Sequence, residues 1–228
     1  LTEAFVNGED IHAAVAAQIH GVPLADVTRE QRSGAKMVNF GIVYGITAFG
    51  LARRLGCSNS EADEIITGYK QRFAGITTFL EECVAQAKQH GYVETMLKRR
   101  RPIPDIDSNQ PNRRSLAERM AINSVVQGSA ADLIKLAMID LHRLIKSSPV
   151  ADGDPAGNGG READGGRPEA LTDVLMLLQI HDELVFEAPE PTADAAAGLI
   201  VDRMQRAMDL RVPLVVDHGT SANWYEGK

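Results

Sequence analysis

Apolar side chains recur three and four positions apart through most of the first ninety residues, a spacing typical of amphipathic helices. Four stretches show this spacing, at residues 10–20, 29–55, 58–72 and 76–90. Thr28 followed by Gln31 has the form of a capping box that starts a helix, and residues 58–61 open the third stretch. The pattern therefore predicts that the first hundred residues are largely helical.

The pattern changes after residue 90. Residues 91–95 suggest a short strand, and residues 98–104 suggest a basic loop because their two prolines oppose regular structure. A long helix is predicted over residues 114–146, with Gln127–Gly128 as a point where it could break.

The C-terminal part predicts a small α+β layer. Two strands at residues 174–180 and 184–188 are too apolar to be exposed to solvent, and residues 181–183 form the turn between them. An amphipathic helix over residues 192–210 and a final strand at 213–217 complete the layer.

A segment of different composition precedes this layer. Residues 147–173 contain six glycines, three prolines and no aromatic residue. Burial of so few apolar groups cannot offset the entropy lost on ordering the chain. We therefore predict a flexible insertion at residues 147–172.

The net charge of −7 is divided unevenly along the chain. Residues 28–119 hold 15 Lys and Arg against 10 Asp and Glu, a net charge of +5, and the rest carry a net charge of −12. The basic part could face the phosphates of nucleic acid, although a solvated helical surface would explain its charge equally well.

Several classes of protein are disfavoured by the sequence. Cys57 and Cys83 have neither CxxC nor zinc-ligand spacing, so nothing supports a disulfide framework or a structural zinc site. The longest apolar run, at residues 174–178, is too short to span a bilayer, and the N-terminus has no signal-peptide pattern. We expect a cytoplasmic protein.

Two cations and two aromatic residues follow one another at four-residue spacing. Arg32, Lys36, Phe40 and Tyr44 would lie in one helical stripe about 18 Å long, which matches the length of a nucleotide. The cations could hold phosphates near the helix N-terminus, and the rings could pack on sugar and base. An amphipathic helix with surface cations and core aromatics would give the same pattern.

Polar residues form two further candidate sites. Arg119, Asn123 and Gln127 present donors and acceptors along one helix face, suited to minor-groove edges that differ little between sequences. Asp182 and Glu183 place adjacent carboxylates at a hairpin tip, which suits a divalent metal. The alternative for the first site is a polar helix face that contacts only solvent. The alternative for the second is a pair of acidic residues that only stabilise the turn.

These residues stand in motifs that resemble those of family A DNA polymerases, the bacterial DNA polymerase I type. The resemblance rests on residues 10–12, 31–32, 36, 39–45, 49–52, 118–123, 127–132 and 179–187. Residues 98–101 are similar to a basic loop of the family in which glycine usually precedes the arginines, and Lys98 stands at the position of that glycine.

The resemblance implies template-directed addition of deoxynucleotides to a primer 3′ end. Residues that match His12, Arg32 and Lys36 contact the incoming deoxynucleoside triphosphate in the family. The residue matching Phe40 lies against the sugar and base, and the one matching Tyr44 stacks near the templating position.

The same resemblance implies contacts with primer-template DNA and with metal. Residues that match Arg119, Asn123, Gln127 and His181 contact the DNA. Residues matching Asp182 and Glu183 bind two Mg²⁺ ions. The resemblance implies that Asp182, Glu183 and Lys36 are the catalytic residues. Two ions about 4 Å apart activate the primer hydroxyl and neutralise the phosphate in such enzymes.

In the terms of the family, residues 1–115 correspond to the fingers, and residues 116–146 with 173–228 correspond to the second part of the palm. The family takes a further essential aspartate from a strand upstream of the position of Leu1. We therefore expect an N-terminally truncated polymerase domain, inactive alone and monomeric as part of a longer, nucleoid-associated chain. An inactive nucleic-acid or nucleotide-binding module and a single-subunit RNA polymerase are the alternatives.

Overall fold

The computed structural model describes residues 2–147 and 167–227. The helices are α1 Thr2–Val6, α2 Ile11–His20, α3 Arg29–Val43, α4 Ala48–Leu55, α5 Asn59–Arg72, α6 Ala74–His90, α7 Pro111–Lys146 and α8 Ala193–Gln205. The strands are β1 Tyr92–Glu94, β2 Arg100–Pro102, β3 Leu175–Ile180 and β4 Glu183–Glu187. The predicted α+β class is confirmed. The chain divides into two compact units, Leu1–Ala130 and Ala131–Lys228.

The predicted capping box at Thr28 is present, and the predicted helix start at Ser58 also forms one. The Thr28 hydroxyl accepts a hydrogen bond from the Gln31 amide at 3.2 Å, and the Gln31 side chain accepts one from the Thr28 amide at 2.9 Å. Ser58 and Glu61 make the same reciprocal pair at 3.2 and 2.8 Å. Each box satisfies two amide groups that an α-helix leaves without partners, which is why α3 and α5 begin where the sequence predicts.

The prediction of one helical stretch over residues 29–55 is wrong at its middle. Gly45 has a left-handed backbone conformation, with φ at +75°, and this ends α3 just before Tyr44. Thr47 then starts α4 by accepting a hydrogen bond from the Gly50 amide. Because apolar periodicity continues across the break, the spacing alone did not reveal it.

The prediction of an irregular basic loop at residues 98–104 is also wrong in part. Arg100–Pro102 forms β2, which pairs antiparallel with β1 so that Pro102 lies opposite Tyr92. Proline is tolerated there because it ends a three-residue edge strand. Arg100 stacks over the Tyr92 ring at 4.6 Å and donates to the Glu94 carboxylate at 3.1 Å.

Lys98 lies in the turn between β1 and β2 with φ at +64°, a conformation that favours glycine. We expect Lys98→Gly to raise the free energy of unfolding above that of Lys98→Ala by about 1 kcal/mol, because only glycine adopts this φ without strain. Both variants remove the exposed ion pair with Glu94, so the comparison cancels its contribution. Urea unfolding followed by circular dichroism measures the difference, and equal stabilities would contradict it.

The long helix α7 is continuous, so the break considered at Gln127–Gly128 does not occur. A Cβ atom at Gly128 would lie 2.7 Å from Cγ2 of Thr95, so glycine lets the β1–β2 hairpin approach the helix closely. The next residue, Ser129, accepts a hydrogen bond from the Met96 amide at 2.9 Å. The buried cluster between hairpin and helix includes Val93 and Ala121.

In the second unit, the β3–β4 hairpin packs one face on α7 and α8. Leu141, Leu171 and Ile200 are among the buried residues of that cluster. The other face of β3 is exposed: Leu175, Leu177 and Leu178 are 48, 51 and 41 % exposed. The prediction that these strands are too apolar for solvent contact is therefore wrong for this face. A β-bulge between Met176 and Leu178 interrupts the alternation of the strand.

Two more predictions fail near the C-terminus. Helix α8 ends at Gln205 and not near residue 210. Residues 213–217 form no strand, and Val215 is 74 % exposed.

Most of the predicted flexible insertion, residues 148–166, lies outside the described residues. Its last part includes a 3₁₀ turn, Glu169–Leu171, whose Leu171 is fully buried.

Among the described residues, no helix is long and apolar enough to cross a membrane.

Candidate functional site

Packing between α2 and α3 positions the first candidate site. Val15 of α2 and Val38 and Ile42 of α3 are buried in one cluster with Leu51 of α4, which is fully buried. With one face of α3 fixed by this core, Arg32, Lys36 and Phe40 lie on its exposed side. The buried apolar face therefore determines which polar side chains face solvent.

Asp10 joins the start of α2 to the predicted phosphate-binding cation Arg32. Its carboxylate caps α2 by accepting from the Ala13 amide at 2.9 Å and also accepts from Nε of Arg32 at 2.5 Å. The hydrogen bond from Arg32 holds the pKa of Asp10 below its ordinary value. The sequence identified Asp10 as a helix start but not as the partner that orients Arg32.

His12 is held by a residue that sequence reasoning did not assign to the site. Nδ2 of Asn39 lies 2.7 Å from Nδ1 of His12, and Asn39 is only 6 % exposed. Burial lowers the pKa of His12, so the imidazole is neutral at pH 7. A buried asparagine on the apolar face of a helix signals an internal partner, but the partner lies 27 positions away.

The aromatic residues continue the same surface. The ring of Phe40 lies 5.8 Å from that of His12 and 6.2 Å from that of Tyr44, with which it stacks at an interplanar angle of 14°. Nζ of Lys36 lies 6.0 Å from the centre of the Phe40 ring. The structure thus brings together all five residues predicted to bind nucleotide, although Tyr44 lies just beyond α3 and not within it.

The second candidate site is one face of α7. Arg119, Asn123 and Gln127 lie at successive four-residue steps on an unbroken helix, so they span about 12 Å along its axis. Oδ1 of Asn123 is buried without a hydrogen-bond partner among the described residues. Next to this face, a Cβ atom at Gly45 would lie 3.0 Å from Cγ of Arg119. The turn after α3 therefore rests on the Arg119 side chain.

The third candidate site is the β3–β4 turn. His181 has φ at +54° and its carbonyl accepts a hydrogen bond from the Gln179 side chain at 2.6 Å. Asp182 completes the turn and is exposed. Glu183 is not in the turn, because it pairs with Ile180 as the first residue of β4.

The carboxylates at this end of the hairpin suit a divalent ion that also binds substrate and water better than an ion held by protein atoms alone. Within residues 2–147 and 167–227, no group of three or more His, Cys, Asp and Glu could hold a metal. Mg²⁺ is commonly held by one or two carboxylates, with water and substrate phosphates as its other ligands. Asp182 and Glu183 can supply those carboxylates.

Comparison with known proteins places these motifs in one family. The sequence profile of DNA polymerase family A matches residues 1–226. The chain belongs to DNA polymerase family A. It is 43 % identical over 229 residues to DNA polymerase I of Streptococcus pneumoniae serotype 4, and 44 % identical over 228 residues to DNA polymerase I of Bacillus caldotenax. Each alignment covers the whole chain but 24 % of the relative.

A solved structure has a similar fold. It is the polymerase domain of Pol1 from M. smegmatis in complex with DNA primer-template and a deoxynucleoside triphosphate. The TM-score is 0.79 at 39 % identity, over 94 % of this chain and 34 % of the other. The chain therefore spans about a quarter of the length of these curated relatives and about a third of the length of the solved polymerase domain.

Proposed function

We propose that this chain is the fingers and part of the palm of a DNA polymerase that adds deoxynucleotides to a primer 3′ end in replication and repair. The observation that carries the proposal is the contiguous surface of Asp10, His12, Arg32, Lys36 and Phe40, in a chain belonging to family A. The place of action we propose is the bacterial cytoplasm, at the nucleoid.

The surface of α2 and α3 would bind the incoming deoxynucleoside triphosphate. Arg32 is held by Asp10 with about half of its side chain exposed, so its remaining N–H groups can donate to phosphate. Lys36 is exposed and would supply a second charge. The face of Phe40, 46 % exposed, offers an apolar platform for sugar and base, and Tyr44 extends it toward the templating position.

Primer-template DNA would lie along α7. Arg119, Asn123 and Gln127 offer donors and acceptors to the minor groove, where A·T and T·A pairs present the same acceptors. Such contacts suit an enzyme that must bind a duplex of any sequence. His181, whose turn is braced by Gln179, would contact the primer end. We assign residues 1–115 to the fingers, residues 116–146 and 173–228 to the palm, and residues 147–172 to an insertion.

Asp182 and Glu183 would hold Mg²⁺ with the substrate phosphates. Bound there, the ion would lower the pKa of the attacking hydroxyl and would neutralise charge on the transferred phosphate. Asp182 is exposed and acceptor-only when ionised, which suits this role.

The test of nucleotide binding is the affinity of the 228-residue chain for a fluorescent deoxyadenosine triphosphate in the presence of Mg²⁺. We expect Lys36→Ala to weaken binding about tenfold, which corresponds to the loss of about 1.4 kcal/mol from one charge-assisted contact. Unlabelled dATP should displace the probe, and deoxyadenosine should not.

Lys70→Ala is the matched control because Lys70 is an exposed lysine on α5, outside the proposed surface. Equal losses in the two variants, or displacement by deoxyadenosine as effective as by dATP, would contradict the proposed triphosphate site.

We also propose that the 228-residue chain binds substrates without extending a primer unaided. The family resemblance implies a further aspartate for the two-ion site besides Asp182 and Glu183, and the described residues hold no group of three or more metal-ligating side chains. The expected result is tight, salt-sensitive duplex binding with no Mg²⁺-dependent extension. Extension that is lost on Asp182→Ala would show instead that these two carboxylates suffice.

A further inference from the structure

The contact between Asn39 and His12 bears on which nitrogen of the His12 ring carries the proton. It joins α3 to α2 through side chains that are 27 positions apart, and it lies at the edge of the proposed phosphate-binding surface. The atom of Asn39 nearest to the imidazole is the amide nitrogen, at 2.7 Å from Nδ1. An amide nitrogen carries only hydrogen-bond donors, so Nδ1 must be the acceptor. The proton of the neutral ring then resides on Nε2.

The amide of Asn39 has Nδ2 toward His12 and Oδ1 away from it. Oδ1 is buried and has no hydrogen-bond partner among the described residues. Reversing the amide would bury two N–H donors at that position and would set Oδ1 to accept a proton from Nδ1. The two orientations therefore predict opposite tautomers of the ring.

Burial, more than the nearby charges, favours the neutral form of the His12 ring. Burial is the main cause that lowers the pKa of His12, and the nearby cations Arg32 and Lys36 act in the same direction. The Asp10 carboxylate on α2 acts in the opposite direction but is itself engaged by Arg32. A donor from Asn39 at Nδ1 also occupies the position that a second proton would take.

We propose that Asn39 is a positioning residue that holds His12 in the Nε2–H tautomer, so that the ring offers a neutral N–H donor to the phosphates of the nucleotide. The inference rests on the proposed function for the identity of the acceptor, but not for the tautomer. Arg32 and Lys36 would then supply the charge at this surface, and His12 would supply a directed hydrogen bond.

The first test is a long-range ¹H–¹⁵N correlation spectrum of the full chain labelled at histidine nitrogen, recorded without nucleotide at pH 8. We expect the His12 signals of a protonated Nε2 and an unprotonated Nδ1, with His20 at the exposed end of α2 as an internal reference. Signals of a protonated Nδ1 in the wild-type chain would overturn the inference. This measurement needs no variant and no ligand.

The second test is Asn39→Asp, whose carboxylate can only accept and therefore favours a proton on Nδ1. We expect the tautomer to reverse and the pKa of His12 to rise. If the Nε2–H tautomer falls to about one-tenth of the population, the affinity for dATP at pH 8 falls about tenfold. An unchanged His12 tautomer in a folded Asn39→Asp chain would contradict the positioning role.

Failure of this inference and failure of the proposed function give different results. Adding dATP with Mg²⁺ to the wild-type chain should shift the Nε2 signal of His12. Binding that leaves this signal unmoved overturns the donor role of His12 while the nucleotide site stands. Absence of any dATP binding, with the tautomer as expected, removes the proposed site and with it the assignment of phosphate as the acceptor.

Discussion

Leu51→Ala is expected to lower the free energy of unfolding by about 2–5 kcal/mol, the range for removing a fully buried leucine side chain. Leu51 is 0 % exposed and packs in the same cluster as Val38 and Ile42, the apolar face of the helix that carries the proposed nucleotide-binding residues. The lost methyl groups leave a cavity that the surrounding helices can fill only in part. Urea unfolding followed by circular dichroism at 222 nm measures the change.

Phe49→Ala is the control, because Phe49 lies with Leu51 on α4. Phe49 is the larger side chain but is 61 % exposed, and its contact with Arg53 is a surface cation–π contact at 6.0 Å. Substitutions at exposed positions usually change stability by less than about 0.5 kcal/mol. If Phe49→Ala were as costly as Leu51→Ala, the assignment of this core would be wrong.

We also expect the nucleotide affinity of Leu51→Ala to fall under conditions in which the chain is still folded, because α3 loses part of its support.

Gly128→Val is expected to cost about 2–3 kcal/mol through overpacking. The new Cβ would lie 2.7 Å from Cγ2 of Thr95, and Thr95 cannot rotate freely because its hydroxyl accepts a hydrogen bond from the Arg99 amide. The gain in helix propensity from glycine to valine is only a few tenths of a kcal/mol, too small to offset the collision. The same unfolding measurement applies.

A double-mutant cycle with Thr95→Ser tests the cause. Serine keeps the hydroxyl that bonds to Arg99 but lacks the methyl group in collision, so the double variant should recover about 1 kcal/mol or more relative to additivity. Gly68→Val on α5 is the control for backbone effects, because a Cβ there would meet nothing within 4 Å. Additive effects at positions 95 and 128, or an equal loss at position 68, would exclude the collision as the cause.

Local signals predicted the parts of this fold that local chemistry determines. The capping boxes at Thr28 and Ser58 satisfy amides within four residues, so their motifs fixed the helix starts. The apolar runs around Asp182 predicted the β3–β4 hairpin for a similar reason. In contrast, apolar spacing continues through Gly45, and only its backbone conformation shows that α3 ends there.

The features that were missed depend on contacts between distant positions. Asp10 meets Arg32 across 22 positions, and Asn39 meets His12 across 27. Sequence spacing predicted that Arg32, Lys36 and Phe40 share one helix face, but it could not show which neighbours orient them. The predictions that α8 extends to residue 210 and that residues 213–217 form a strand failed because apolar residues such as Val215 can remain exposed.

The contact between Gly45 and Arg119 limits how this protein can be re-engineered. A library that randomises the turn after α3, for example to alter substrate choice, would add side chains at position 45. A Cβ atom there would lie 3.0 Å from Cγ of Arg119. Such variants would be strained by the left-handed backbone at residue 45 as well as by the contact with Arg119. A smaller residue at position 119 would relieve only the contact, so Gly45 should be kept and the diversity placed elsewhere in the turn.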